Sequence, residues 1–306
     1  MTALPLDGKK VAAQIRAEVA AGVKSLAARG VVPGLAAVLV GENPASAVYV
    51  RSKGKAAEEV GIASRTLRFP ADFAEEDLLR TIEALNRDAA VDAILVQLPL
   101  PSPIRAARIL EAVDPAKDVD GFHPVSVGRL VQNRPGPRPC TPAGVMELLR
   151  REGIALRGTR AVVVGRSDIV GRPMALLLTH ADATVTVAHS KTRDLPAVCG
   201  EADLLVAAMG KPGFVTGDFV KDGAVVIDVG INRITEPAEL RRFFPGDGAR
   251  QAEFEKKGST LVGDCDPVSV GRRAGRLTPV PGGVGPLTIA MLLANTLELA
   301  TVRRGG

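Results

Sequence analysis

Short apolar runs alternate with segments whose apolar positions recur every three or four residues. The runs at 35–40, 93–96, 161–164, 184–188, 204–207 and 224–229 have the continuous apolar character of strands buried on both faces. Helical patterns between them predict βα units and parallel sheets. The first helix is expected to start at the capping residue Asp7, carry Val11, Ile15, Val19 and Val23 on one face, and stop before Gly30 and Pro33. A short helix is expected over 103–113, with Ser102 as cap and Pro103 in its first position. Four prolines and a glycine within 132–139 preclude helix or central strand and mark the passage into a second domain. The turn at 279–286 is followed by an apolar segment, 287–299, expected to be a helix that packs back on the first domain. The polar stretch 235–258 reads as a surface excursion, and no repeat of fixed period stands out.

A chain of 306 residues is long for a single core, so two domains are expected. No run approaches the roughly 18 uninterrupted apolar residues of a membrane helix, and the first ten residues lack the order of a signal peptide. A cytoplasmic location without membrane attachment is the expectation. Cys140, Cys199 and Cys265 are odd in number and lack metal-ligand spacing, which predicts reduced thiols and no metal site. Net charge is +5, but basic and acidic residues are interspersed and aromatics make up only 3%, so nucleic-acid binding is disfavoured.

The strand at 161–164 runs into Gly165-Arg166-Ser167-Asp168-Ile169-Val170-Gly171-Arg172-Pro173. A strand, a glycine-bounded turn and a helix start can bring backbone N–H groups to a pyrophosphate, although the two glycines depart from the G-x-G-x-x-G spacing. After the next strand an NAD enzyme would carry Asp or Glu, whereas here His189-Ser190-Lys191-Thr192 follows. The missing carboxylate, the Ser190 hydroxyl and the charge of Arg166 favour NADP. The bland alternative is that 189–192 merely cap the next helix.

A second group lies near the N-terminus. Ser46, Tyr49 and Lys53 share a helical face after Gly41-Glu42-Asn43-Pro44, and Tyr49 is the single tyrosine. Gln97 ends an apolar strand, where open α/β sheets bind ligands, and Asp120 precedes a glycine turn. Each has an ordinary reading: an amphipathic helix surface, a loop-satisfying amide, a plain turn.

Six segments together resemble the methylenetetrahydrofolate dehydrogenase/methenyltetrahydrofolate cyclohydrolase family over nearly the whole chain. They are 40–46 leading to Tyr49 and Lys53; Gln97-Leu98-Pro99-Leu100-Pro101; Lys117-Asp118-Val119-Asp120-Gly121; Cys140-Thr141-Pro142; 164–167 with 170–173; and Pro281-Gly282-Gly283-Val284-Gly285-Pro286. The resemblance implies an α/β folate-binding domain, 1–139, completed by a C-terminal segment, 283–306. It implies a Rossmann-like NADP-binding domain, 140–282, with a cleft at the junction, and a cytosolic homodimer. It implies oxidation of 5,10-methylenetetrahydrofolate and hydrolysis of the methenyl product to 10-formyltetrahydrofolate. Lys53 then matches the catalytic lysine, Tyr49 its folate-contacting neighbour, Gln97 the residue modulating the lysine and Asp120 the pterin anchor. Pro281, Gly282 and Gly283 match the folate turn. Gly165, Arg166, Ser167, Ser190 and Thr192 match cofactor positions, with Ile231 at the nicotinamide.

The chain departs from the family pattern at Pro267, where Gly263-Asp264-Cys265-Asp266 is usually followed by phenylalanine, at Leu287, where methionine is common, and in a longer stretch between Asn232 and Gly263. Tyr49 and Lys53 also spell the Y-x-x-x-K of short-chain dehydrogenases, but there the glycine turn precedes the tyrosine and here it follows. A non-catalytic NADP-binding regulator is the other alternative, against which Tyr49, Lys53, Gln97 and Asp120 stand together.

Overall fold

The apolar runs become parallel strands in two separate sheets, although 184–188 is a largely exposed edge strand and not one buried on both faces. The computed structural model describes residues 3–304 and divides into two units. The first comprises Ala12–Cys140 and the chain from Ile289, the second the chain up to Val11 with Thr141–Thr288.

In the first unit, β2 (Gly34–Val40) lies between β3 (Ala63–Phe69) and β4 (Ala93–Val96) in a parallel sheet. Every residue of β2 and β4 is buried. β3 is the exposed edge, and its polar sequence is why no strand pattern appears there. Helices α1 (Gly8–Ala27), α2 (Pro44–Glu59), α3 (Glu75–Arg87), α4 (Ala106–Ala112) and α5 (Pro124–Val131) follow the chain order. Val38, Val40, Leu78, Ile82, Ile94 and Ile109 share one apolar cluster between sheet and helices.

The predicted helix over 103–113 is shorter, as α4. Ile104 N–H closes a turn onto the Pro101 carbonyl at 3.0 Å, and the Arg105 amide donates to Glu75 Oε2 at 2.6 Å, so neither Ser102 nor Pro103 opens the helix.

The second unit holds a six-stranded all-parallel sheet in the order β1-β11-β8-β7-β5-β6. Its strands are β1 (Leu4–Pro5), β5 (Arg160–Val164), β6 (Thr184–Ala188), β7 (Leu204–Ala207), β8 (Val225–Asp228) and β11 (Arg276–Leu277). Helices α6 (Cys140–Arg151), α7 (Gly171–His180), α8 (Leu195–Gly200) and α11 (Pro267–Arg273) connect them. From β5 the chain passes to β6 on one side and then to β7 on the other. This reversal is a topological switch point, where a doubly wound sheet opens a ligand crevice. β1 pairs with β11, so the opening residues group with this sheet and not with the first unit as the expected partition had it.

The polar excursion is not irregular. It forms α9 (Pro237–Phe243) and α10 (Gly248–Lys257) between β9 (Asn232–Ile234) and β10 (Thr260–Val262), an antiparallel pair. Ile234, Phe243 and Val262 form a small core of its own, with Phe244 packed against it.

The last helix, α12 (Val284–Arg304), is longer than the apolar run that predicted it. It is long and apolar enough by composition to cross a bilayer, but half of that window is buried inside the protein. In the first unit, Asn295 Nδ2 donates to the carbonyls of Val119 and Arg138 at 2.8 and 2.9 Å. Its last turn carries Arg303 and Arg304 beside the fully buried Asp92. Arg303 Nη1 and Arg304 Nε reach Oδ1 at 2.6 and 2.9 Å, while the Gly34 amide donates to Oδ2 at 2.9 Å.

Two of the three departures have local explanations. Pro267 sits in the first turn of α11, where a missing N–H costs nothing, and Asp266 caps that helix by accepting from Val268 and Ser269 N–H at 3.0 and 2.8 Å. Leu287 is wholly buried, and a Cβ on Gly144 would come within 2.7 Å of its Cβ.

Candidate active site

α2 is launched by Asn43, whose Oδ1 accepts the Ala45 and Ser46 amides at 3.0 and 3.1 Å, with Pro44 in the first turn. The helical phase then turns Ser46, Val50 and Lys53 inward, and Lys53 is only 8% exposed. Tyr49 is half-buried one turn before it, and burial raises its phenol pKa.

Lys53 Nζ donates to Gln97 Oε1 at 3.1 Å. Gln97 Nε2 donates to the Leu98 carbonyl at 2.7 Å. That second contact fixes the amide orientation, because a carbonyl oxygen can only accept and a flipped amide would set two acceptors against each other. The oxygen of Gln97 therefore faces the lysine. Ammonium or amine, the lysine can donate one N–H to that oxygen, and a neutral amine would keep its lone pair for another partner.

Asp120 is not the turn former. Asp118 does that work, accepting Phe122 and His123 N–H at 3.2 and 2.8 Å, and Gly121 takes φ +68° close under the Pro137 carbonyl. Asp120 Oδ1 instead meets the buried thiol of Cys140 at 3.6 Å. Burial pushes the Asp120 carboxyl up to about 6, opposed by the nearby Lys53 charge. Burial and the Asp120 charge push Cys140 far up, so it is a neutral thiol. Cys140 and Asn295, which donates to its sulfur at 3.6 Å, had no chemical role in the sequence reading. The available signal was a lone asparagine within an apolar helix.

In the second unit, Gly165 and Gly171 bound a turn at the switch point. A Cβ on Gly165 would lie 2.2 Å from the Ala208 carbonyl oxygen, and one on Gly171 2.2 Å from the Gly165 oxygen. Both must be glycine for the turn to fold back between β5 and the loop after β7. Ser167 Oγ accepts the Val170 and Gly171 amides at 3.2 and 3.3 Å, yet its hydroxyl proton is available to an anion. Arg166 and Ser190 are exposed at the ends of adjoining strands β5 and β6, and 189–192 contain no carboxylate. Thr192 Oγ1 accepts the His189 amide at 2.9 Å and its own amide donates to the His189 carbonyl at 2.8 Å. The segment is thus a closed turn and not a cap, since α8 begins at Leu195 after Asp194 with no side-chain cap. These residues fit a dinucleotide carrying a 2′-phosphate: close backbone, the Arg166 guanidinium, hydroxyl donors and no carboxylate within 189–192.

Ile231 is 45% exposed between two buried carboxylates' partners. Asp264 accepts the Met209, Gly210 and Lys211 amides at 2.6, 2.9 and 2.8 Å and the Asn232 Nδ2 at 2.9 Å. Asp228 accepts the Gly230, Asp264 and Cys265 amides at 2.9, 2.8 and 2.9 Å. Burial pushes Asp228 up to about 7 against the pull of those donors. This mesh, unseen in the sequence reading, holds the loops on either side of Ile231. Pro281, Gly282 and Gly283 form a turn in which Gly282 has φ +109° and lies against Lys9. The described residues contain no cluster of metal-ligating side chains.

Comparison with known proteins identifies the family. Residues 6–120 match the tetrahydrofolate dehydrogenase/cyclohydrolase catalytic domain and residues 139–304 its NAD(P)-binding domain. The bifunctional protein FolD of Koribacter versatilis is 61% identical over 305 residues, covering 100% of this chain and 99% of the relative. The crystal structure of the bifunctional methylenetetrahydrofolate dehydrogenase/cyclohydrolase FolD from Campylobacter jejuni has a TM-score of 0.88 at 45% identity, covering 97% of this chain and 98% of that one. The Trypanosoma brucei enzyme, solved with NADP and an inhibitor, has a TM-score of 0.89 at 40% identity, covering 99% and 98%. The chain belongs to the tetrahydrofolate dehydrogenase/cyclohydrolase family.

Proposed function

We propose that Lys53 carries the proton transfers of a two-step reaction. The chain oxidises 5,10-methylenetetrahydrofolate with NADP and hydrolyses the methenyl product to 10-formyltetrahydrofolate. In the substrate one carbon bridges two nitrogens, and their lone pairs stabilise the amidinium-like cation left by hydride loss. That step needs alignment more than a base. NADP, when bound, supplies the hydride acceptor. Arg166 and Ser190 are assigned to its 2′-phosphate, Gly165, Ser167 and Thr192 to the adjoining turns, and Ile231 to the nicotinamide face.

Hydrolysis is different, because water must lose protons as it adds and a ring nitrogen must gain one as the ring opens. Lys53 Nζ is assigned this exchange, with Gln97 orienting it, Tyr49 beside it on α2 and Asp120 anchoring the pterin N–H groups. Pro281, Gly282 and Gly283 line the folate. The observation that carries the reading is the Lys53–Gln97 hydrogen bond, fixed in direction by Leu98. Incubation with 5,10-methylenetetrahydrofolate and NADP, following NADPH and folate products separately, tests it. NADPH formation with no 10-formyltetrahydrofolate above spontaneous hydrolysis would remove the second activity.

A homodimer is supported by the open edge of β3, where Leu67, Phe69 and Phe73 are partly exposed among Arg65, Arg80, Asp77 and Asp88. An unpaired edge flanked by both signs of charge can meet its own two-fold copy. Sedimentation of wild type and Leu67→Arg distinguishes dimer from monomer. Cytoplasmic residence is supported by three separate buried free thiols, which a reducing compartment preserves.

A further inference from the structure

The excursion between β9 and β10 has no task in the reaction as assigned. α10 buries no residue by overall exposure, yet one of its side chains reaches inward. Arg250, with its side chain 18% exposed, lies over the Phe244 ring at 4.5 Å and donates through Nη1 to Thr260 Oγ1 and the Leu261 carbonyl, each at 3.1 Å. Its Nη2 donates to the carbonyl of Val280, the residue preceding Pro281. Glu253 stands 4.0 Å from Nη1, and Asp247 accepts the Arg250 amide at 3.0 Å, fixing the helix start from which the side chain departs. The excursion is itself anchored, because Phe243 fills the space over Gly213, where a Cβ would fall 2.1 Å from Cε1.

A guanidinium presents a flat fork of donors and stacks on an aromatic face, so one side chain can hold hairpin, aromatic ring and turn in fixed register. A lysine has no such fork. We propose that Arg250 is a positioning residue for the Pro281-Gly282-Gly283 turn, through which the excursion sets affinity for the folate substrate without touching it. This role rests on the assignment of that turn to folate contact.

The full-length chain and its Arg250→Ala and Arg250→Lys variants are compared at saturating NADP. Arg250→Ala should raise KM for 5,10-methylenetetrahydrofolate about tenfold, with kcat and the Kd for NADP within about twofold, as for loss of one charged hydrogen bond expressed in binding. Arg250→Lys should recover only part, and serves alone if the alanine variant does not fold. A purely structural staple would lower the melting temperature and the active fraction but leave KM unchanged, and that result overturns the proposal. Hydrogen exchange of 279–285 in the wild type with and without tetrahydrofolate separates the two levels. Protection by the ligand with an unchanged KM in the variants rejects the role of Arg250 alone. No protection rejects the folate turn, and the role of Arg250 with it.

Discussion

Lys53 of α2 and Gln97 beyond β4 meet through a hydrogen bond of 3.1 Å, and the glutamine is locked by its own contact with Leu98. The lysine is therefore held at one place. Lys53→Gln keeps length and polarity but removes the exchangeable ammonium. It should reduce hydrolysis of authentic methenyltetrahydrofolate about 10²–10⁴-fold and spare NADPH formation far more. Methenyltetrahydrofolate should accumulate. Wild-type hydrolysis by the folded variant would dismiss the lysine, and equal loss of both activities would make it a positioning residue.

Arg166 and Ser190 should set the cofactor preference. Removing a charge-assisted contact to phosphate costs about 1.5–3 kcal/mol, equivalent to roughly 10–100-fold in affinity. Arg166→Ala should weaken NADP by about that factor while barely changing NAD. Titrations with both cofactors give the answer; parallel losses would place the 2′-phosphate elsewhere.

Asp120 couples ligand binding to pH. Its folded pKa of about 6 lies above the ordinary carboxylate value, so the folded protein holds a proton that the unfolded chain has already released. Stability contributed by this group is present below the ordinary value and declines as pH rises toward about 6. Asp120→Asn should therefore stabilise the chain by about 1–3 kcal/mol at neutral pH, from a rise of about two pH units. The same variant should bind tetrahydrofolate more weakly and NADP nearly normally. In the wild type, folate affinity should climb as pH passes upward through about 6. Urea unfolding and ligand titration across pH 4.5–8 would expose a flat response if the carboxylate is unimportant.

The end of α12 should be a strong stability determinant. Arg303→Ala with Arg304→Ala strands the wholly buried charge of Asp92 and should cost about 3–5 kcal/mol. Adding Asp92→Asn removes the stranded charge and should recover part of the loss. Denaturation midpoints of the double and triple variants decide this, and a triple variant weaker than the double would contradict it.

The strands of both sheet centres were legible because burial on both faces leaves an apolar run whatever the partner. β3 was not, since an exposed edge such as Ser64, Arg65, Thr66 and Arg68 has no apolar signature. β1 escaped for another reason: Leu4 pairs with Arg276, from the opposite end of the chain, and no local pattern encodes that. Around the site, spacing placed Ser46, Tyr49 and Lys53 on one helix. Only coordinates could show that Gln97 presents its oxygen and that Asp118, not Asp120, builds the turn. The hexapeptide Pro-Val-Ser-Val-Gly-Arg occurs at 124–129 and 267–272 and starts a helix both times, capped once by His123 and once by Asp266. A fixed-period search does not find it.

The carboxylates of Asp228 and Asp264 grip their neighbouring loops almost wholly through main-chain amides. Such a grip ignores what the gripped residues carry. Met209 and Lys211 are free to drift over evolutionary time without loosening the loop, whereas Gly230 and Gly263 are not, because a Cβ at either would strike a carboxylate oxygen at 2.3 or 1.8 Å. Variation in this neighbourhood should thus be permissive at Met209 and Lys211 and closed at Gly230 and Gly263, which leaves the surface around Ile231 able to diversify on an unchanging frame.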